Sequence, residues 1–121
     1  MKVYQKIHSL SIAIDNCIKS GNTLWQERHE NSLNAIMEDS PSGSGFDDGT
    51  TLYAVEQTKM VFETSFHHLN NNGYYEGWTK HYIYVKPTFD GIDLRITGQN
   101  RNDIKEYISD VFYTWLNSEI D

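Results

Sequence analysis

Between residues 78 and 86, rings and cations alternate: Trp78, Lys80, Tyr82, Tyr84 and Lys86. At the two-residue period of a strand, these side chains share one face. Flat rings offer stacking surface to a base, worth ~1–3 kcal/mol per base in single-strand binders. The lysines add charge for phosphate. The same face serves equally well as solvent surface or subunit interface, where aromatics are enriched. A second cluster, Gly98-Gln99-Asn100-Arg101-Asn102-Asp103, precedes a helical pattern. Free amide hydrogens at a helix start attract anions, and Arg101 adds a forked donor suited to phosphate. Arg95, Asn100 and Arg101 lie close in sequence near one sheet end, which suggests a phosphate pocket. It is not a P-loop, because the glycine spacing and the Gly-Lys-Ser/Thr ending are absent. A plain helix cap needs the same residues and no ligand.

Other chemistry is less well supported. His67, His68 and His81 invite a metal or nuclease reading. Adjacent strand residues point to opposite faces, however, so His67 and His68 do not ligate together from a regular strand. No H-E-x-x-H and no H-x-E with paired cysteines completes a set. Asp47, Asp48 and Glu76 are carboxylates that no spacing rule singles out, and no nucleophile arrangement is legible. We therefore expect no metal, no cofactor and no catalysis.

Composition sets the class. The 121 residues include 38% hydrophobic and 13% aromatic side chains and two prolines, which describes one globular domain. The single cysteine, Cys17, excludes an internal disulfide and reads as a small buried hydrophobe. No apolar run reaches the ~20 residues of a membrane span, and the first residues lack a signal-peptide core, so a cytosolic protein is expected. The net charge of −7 argues against non-specific nucleic-acid binding. Charge is nevertheless uneven. From Gly77 to Lys105, five basic residues (Lys80, Lys86, Arg95, Arg101, Lys105) face three acids (Asp90, Asp93, Asp103), enough for a small anion.

These side chains must be positioned by regular elements. Residues 1–39 read as a helical hairpin. Val3, Ile7, Leu10, Ile14 and Ile18 form one stripe, and Trp25, His29, Leu33 and Ile36 or Met37 the other. Gly21 ends the first helix, and Asn22 or Thr23 caps the second. Residues 40–50, rich in Gly and Ser, read as an anchored loop. Residues 51–98 read as an antiparallel meander of about four strands, with turns at Asn70–Gly73 and Asp90–Gly91. Its core face carries Met60, Phe62, Phe66, Ile83, Val85, Ile92, Leu94 and Ile96. Residues 100–118 form a last helix capped by Asn100 or Asn102, with Ile104, Ile108, Val111 and Trp115 inward. The order ααββββα predicts an α+β domain with helices over one sheet face.

Four segments carry a resemblance: Ser42-Gly43-Ser44-Gly45-Phe46-Asp47; His67-His68; Gly73-Tyr74-Tyr75-Glu76-Gly77-Trp78-Thr79; and Asn100-Arg101-Asn102-Asp103-Ile104-Lys105. Together they look like a family of small proteins from phage and prophage genomes. The chain thereby resembles the Thoeris anti-defence 1 sponge family, whose members are similar to it in size. The resemblance covers most of the chain beyond residue 40, and its motifs mark a family rather than a catalyst. It implies a non-enzymatic, oligomeric protein that sequesters a cyclic ADP-ribose signal. None of that family's binding residues is carried over. From the residues themselves, a nucleotide-like anionic ligand would need rings, a forked donor and polar groups. Phe46, Asp47, Trp78, Tyr82, Arg95, Asn100 and Arg101 are the candidates, with the loop bearing Phe46 and Asp47 as a lid. Two rivals are a phage inhibitor of a host defence protein and a small metal-dependent nuclease or phosphodiesterase.

Overall fold

The structure is a computed structural model that describes residues 1–43, 45–69, 72–73, 75–98 and 101–120; at 47–49, 68, 69, 75 and 76 it describes the backbone only. Its elements are α1 (Val3–Ser20), α2 (Thr23–Met37), β1 (Phe46–Val55), β2 (Met60–Leu69), β3 (Tyr75–Thr88), β4 (Gly91–Thr97) and α3 (Asn102–Leu116). The four strands form one antiparallel sheet in the order β1-β2-β3-β4. This is the α+β arrangement expected from the hydrophobic periods. No helix among the described residues is long and apolar enough to cross a membrane.

The core lies between one sheet face and the helices. Met60, Phe62 and Phe66 of β2, Ile83 and Val85 of β3 and Ile92 of β4 are buried there, against Val3, Tyr4, Ile7 and Leu10 of α1 and Ile104, Ile108, Phe112 and Leu116 of α3. Strand alternation sends the neighbours of these residues outward. The last helix turns slightly from its expected stripe: Phe112 and Leu116 are buried, whereas Val111 and Trp115 are half-buried at the margin. Phe112 meets Phe62 (centroids 6.0 Å apart), and the large ring takes the deepest position.

Several boundaries differ from the sequence expectation. The strand expected near residue 51 begins at Phe46, so the irregular segment after α2 is shorter. Phe46 pairs with Phe66 across the strands and packs edge-on against its ring at 5.1 Å. At 8% exposure it is a core residue and not part of a lid. Burial of its ring outweighs the loop-forming tendency of the glycines around it. Asn22 caps α2, accepting from the Trp25 amide at 3.4 Å, and Gly21 ends α1 in the left-handed region (φ 72°). Arg101, rather than an asparagine, occupies the cap position of α3, and its carbonyl accepts the Lys105 amide at 3.2 Å. Cys17 is half-buried rather than buried. Ile18, Leu24 and Trp25 are exposed, although the stripes placed Ile18 and Trp25 inward.

Candidate functional site

A sequential antiparallel meander brings the starts of β1 and β3 and the ends of β2 and β4 to the same end of the sheet. The four segments Ser42–Asp47, His67–His68, Gly73–Thr79 and Asn100–Lys105 are far apart in sequence. The topology gathers their described parts there: Gly43, Gly45 and Phe46, His67 and His68, Gly77 to Thr79, and Arg101 to Asp103. Gly45 is fitted closely at this end. The His67 amide donates to its carbonyl at 2.7 Å, and a Cβ on Gly45 would lie 2.6 Å from the Phe66 ring. Gly98 is equally constrained. Its φ of 101° and its approach to the Lys80 carbonyl leave no room for a side chain.

His81 sits inside this end, fully buried and opposite Thr64. Its Nδ1 lies 3.0 Å from the Thr97 carbonyl and its Nε2 2.8 Å from the Thr79 hydroxyl. A neutral ring protonated at Nδ1 satisfies both, donating to the carbonyl and accepting from Thr79. His81 thus ties β3 to β4. His67 pairs with Trp78 on the opposite, outer face, so His67 and His81 do not share a site. The His68 side chain lies outside the described residues, as do those of Asp47, Asp48 and Glu76. Among the described residues, no group of three or more His, Cys, Asp or Glu side chains is placed to hold a metal.

Arg101 is turned toward its own helix. Its Nε donates to Asp103 Oδ1 at 3.2 Å and its Nη2 to Oδ2 at 2.7 Å. The hydrogen bonding from Arg101 is the largest cause that holds the Asp103 carboxyl below its ordinary value, with desolvation opposing it. Arg95 is paired with Tyr84 on the outer face of β4, whereas Arg101 heads α3 in the helical layer. The two arginines expected to share a pocket therefore lie on different faces. Asn100, the third member of that pocket, falls outside the described residues.

The outer face does assemble the aromatic and cationic side chains. Trp78 is 55% exposed, and Lys80, Tyr84 and Lys86 are also exposed, while Tyr82 is half-buried. Cross-strand pairing sets Lys80 beside Ser65, Tyr82 beside Glu63 and Thr97, and Tyr84 beside Val61 and Arg95. Lys80 Nζ lies 3.3 Å from Glu63 Oε1. The sequence pattern missed Tyr53. It sits at an irregularity in β1 between Leu52 and Ala54, is 61% exposed, and packs edge-on against Tyr82 at 5.3 Å. The broken alternation there was its only signal. Three cations (Lys80, Lys86, Arg95) thus stand against Glu63 and Asp93 on a chain of net charge −7. Two grooves lie elsewhere. One, of about 550 Å³, includes Tyr4, His8, Gln57 and Lys86, and the other, of about 400 Å³, includes Asp39, Tyr107, Asp110 and Trp115. Neither contains any of the seven candidate ligand residues.

No protein-family model, curated protein or solved structure matches this chain.

Proposed function

We propose that this protein is a non-catalytic binder of a nucleotide-type anion, acting as a phage anti-defence sponge for a signal of the cyclic ADP-ribose class. The observation that carries the reading is the outer sheet face. Trp78, Tyr53, Tyr82 and Tyr84 present rings there among Lys80, Lys86 and Arg95, in a protein whose overall charge repels anions. Buried apolar surface does not explain this face, because the core lies on the other side of the sheet. Rings beside cations suit a ligand that has both a base and phosphate. In this reading Trp78 stacks on the base, while Lys80 and Arg95 meet the charge. Phe46 takes no part, and Arg101 already donates to both carboxylate oxygens of Asp103.

Isothermal titration against cyclic ADP-ribose isomers and cyclic dinucleotides tests this, with the ligand recovered and weighed afterwards. Saturable binding with intact ligand is expected. Trp78→Ala should weaken it by roughly ten- to a hundredfold, the value of one stacked base. Cleaved ligand, or binding that Trp78→Ala leaves unchanged, would overturn the reading. A second reading rests on the exposed rings of the same face. A surface gripped from one side also suits a host protein, and the absence of binding to every nucleotide tried would favour that partner.

A further inference from the structure

We propose that the groove between the end of α2 and the outer side of α3 is a binding site in its own right, for a small organic cation of the aliphatic di- or polyamine class. It is independent of what occupies the sheet face, and none of Trp78, Lys80, Tyr82 or Arg95 lines it.

The groove, of about 400 Å³, falls in the size range of small-molecule sites. Two separate parts of the chain build it. Helix α3 supplies one wall, where Tyr107, Asp110, Val111 and Thr114 follow the three-and-four spacing of a single helix face. The turn that ends α2 supplies the other, through Asp39 and Pro41. That turn is held in place. The Asp39 and Ser40 amides donate to the Ile36 and Met37 carbonyls, both at 3.1 Å, and Ser40 and Pro41 are buried. The rings are braced from behind as well. Trp115 packs edge-on against Phe62 at 5.7 Å and Phe112 at 6.0 Å, and Tyr107 meets Phe46 at 6.1 Å and Phe66 at 5.9 Å. Both rings remain partly open to solvent. A site whose walls are fixed before the ligand arrives gives up little entropy on binding.

The chemistry of the lining selects the ligand. Asp39 and Asp110 are exposed acids, and among the described residues neither carboxylate has an ion pair or a hydrogen bond. Among the described residues, no lysine, arginine or histidine lines the groove. Beside the acids stand two aromatic rings, whose faces attract cations, and the apolar carbon of Pro41 and Val111. An anion would meet like charge here, and a neutral apolar ligand would desolvate two carboxylates without pairing them. An inorganic cation would use the acids and gain nothing from the carbon. An alkyl chain carrying two or more ammonium groups uses every part of the lining. The net charge of −7 draws such a ligand toward the protein.

Nitrogen–proton NMR on the whole chain tests this, with spermidine titrated to about 5 millimolar at low salt, the range of a weak small ligand. The three indole signals, from Trp25, Trp78 and Trp115, are assigned by substituting each with phenylalanine. Saturable movement of the Trp115 signal is expected, with those of Trp25 and Trp78 unmoved. Asp39→Asn and Asp110→Asn replace exposed side chains, so the circular dichroism should persist. Each should raise the dissociation constant about two- to fivefold, the value of an exposed ion pair, and the two together about tenfold. Asp93→Asn, on the sheet face, removes the same charge and should leave the constant unchanged. A Trp115 signal that spermidine does not move would overturn the proposal. So would equal weakening by Asp93→Asn, the mark of general attraction to an acidic surface. A short arginine peptide that moves Trp115 where spermidine does not would overturn the polyamine assignment in favour of a basic protein.

Discussion

Two predictions belong to single residues. Gly98 adopts φ 101° with the Lys80 carbonyl where a Cβ would stand, so Gly98→Ala combines backbone strain with a clash against backbone. A loss of about 1–3 kcal/mol or more is expected in a urea melt. An unchanged midpoint would mean that β4 and β3 separate there at no cost. The second concerns Asp103. Its charged form is favoured by Arg101, so the stability it gives is present above the unfolded-state pKa and is lost as pH falls through the lowered folded value. In Arg101→Gln the Asp103 titration, followed by carboxyl NMR, should rise toward its ordinary value. At this scale the sequence was readable for types and not for partners. Arg101 was correctly seen at a helix start, but its fork is engaged by a carboxylate two residues on. His81 invited a metal reading, and burial instead makes it a bridge between Thr79 and Thr97.

At the scale of elements, Phe46→Ala separates packing from binding. The ring is buried between Phe66, Tyr107 and Phe112, so its removal should cost about 3–5 kcal/mol by calorimetry. The folded fraction should bind ligand as well as the wild type does, and a selective loss of affinity would return Phe46 to the site. The strand faces were legible because a period of two, with Ile83 and Val85 inward, forces Trp78, Lys80 and Tyr84 outward. Both ends of β1 were harder. Glycines and acids around Phe46 imitate a loop, and the irregularity at Tyr53 interrupts the alternation that would have identified it. The helical stripes were legible in register but not in extent. Periodicity marks Ile14 and Ile18 as it marks Ile7, and only the position of the sheet decides which of them is covered.

At the scale of the molecule, the hydrophobic pattern determined the order of elements, and the meander then placed four distant segments at one end of the sheet. Placement of that kind is a property of topology, which no local pattern encodes. The two ends of the chain also meet. The Met1 amino group lies 3.2 Å from Glu119, the Val3 amide donates to the Ser118 carbonyl at 3.0 Å, and Ile120 returns a bond to Met1 at 2.8 Å. Tension applied to both ends would load these contacts one after another rather than all together. The molecule should therefore peel open from this clasp at low force, with the sheet yielding last, although nothing in its thermal stability would reveal so soft a point of entry.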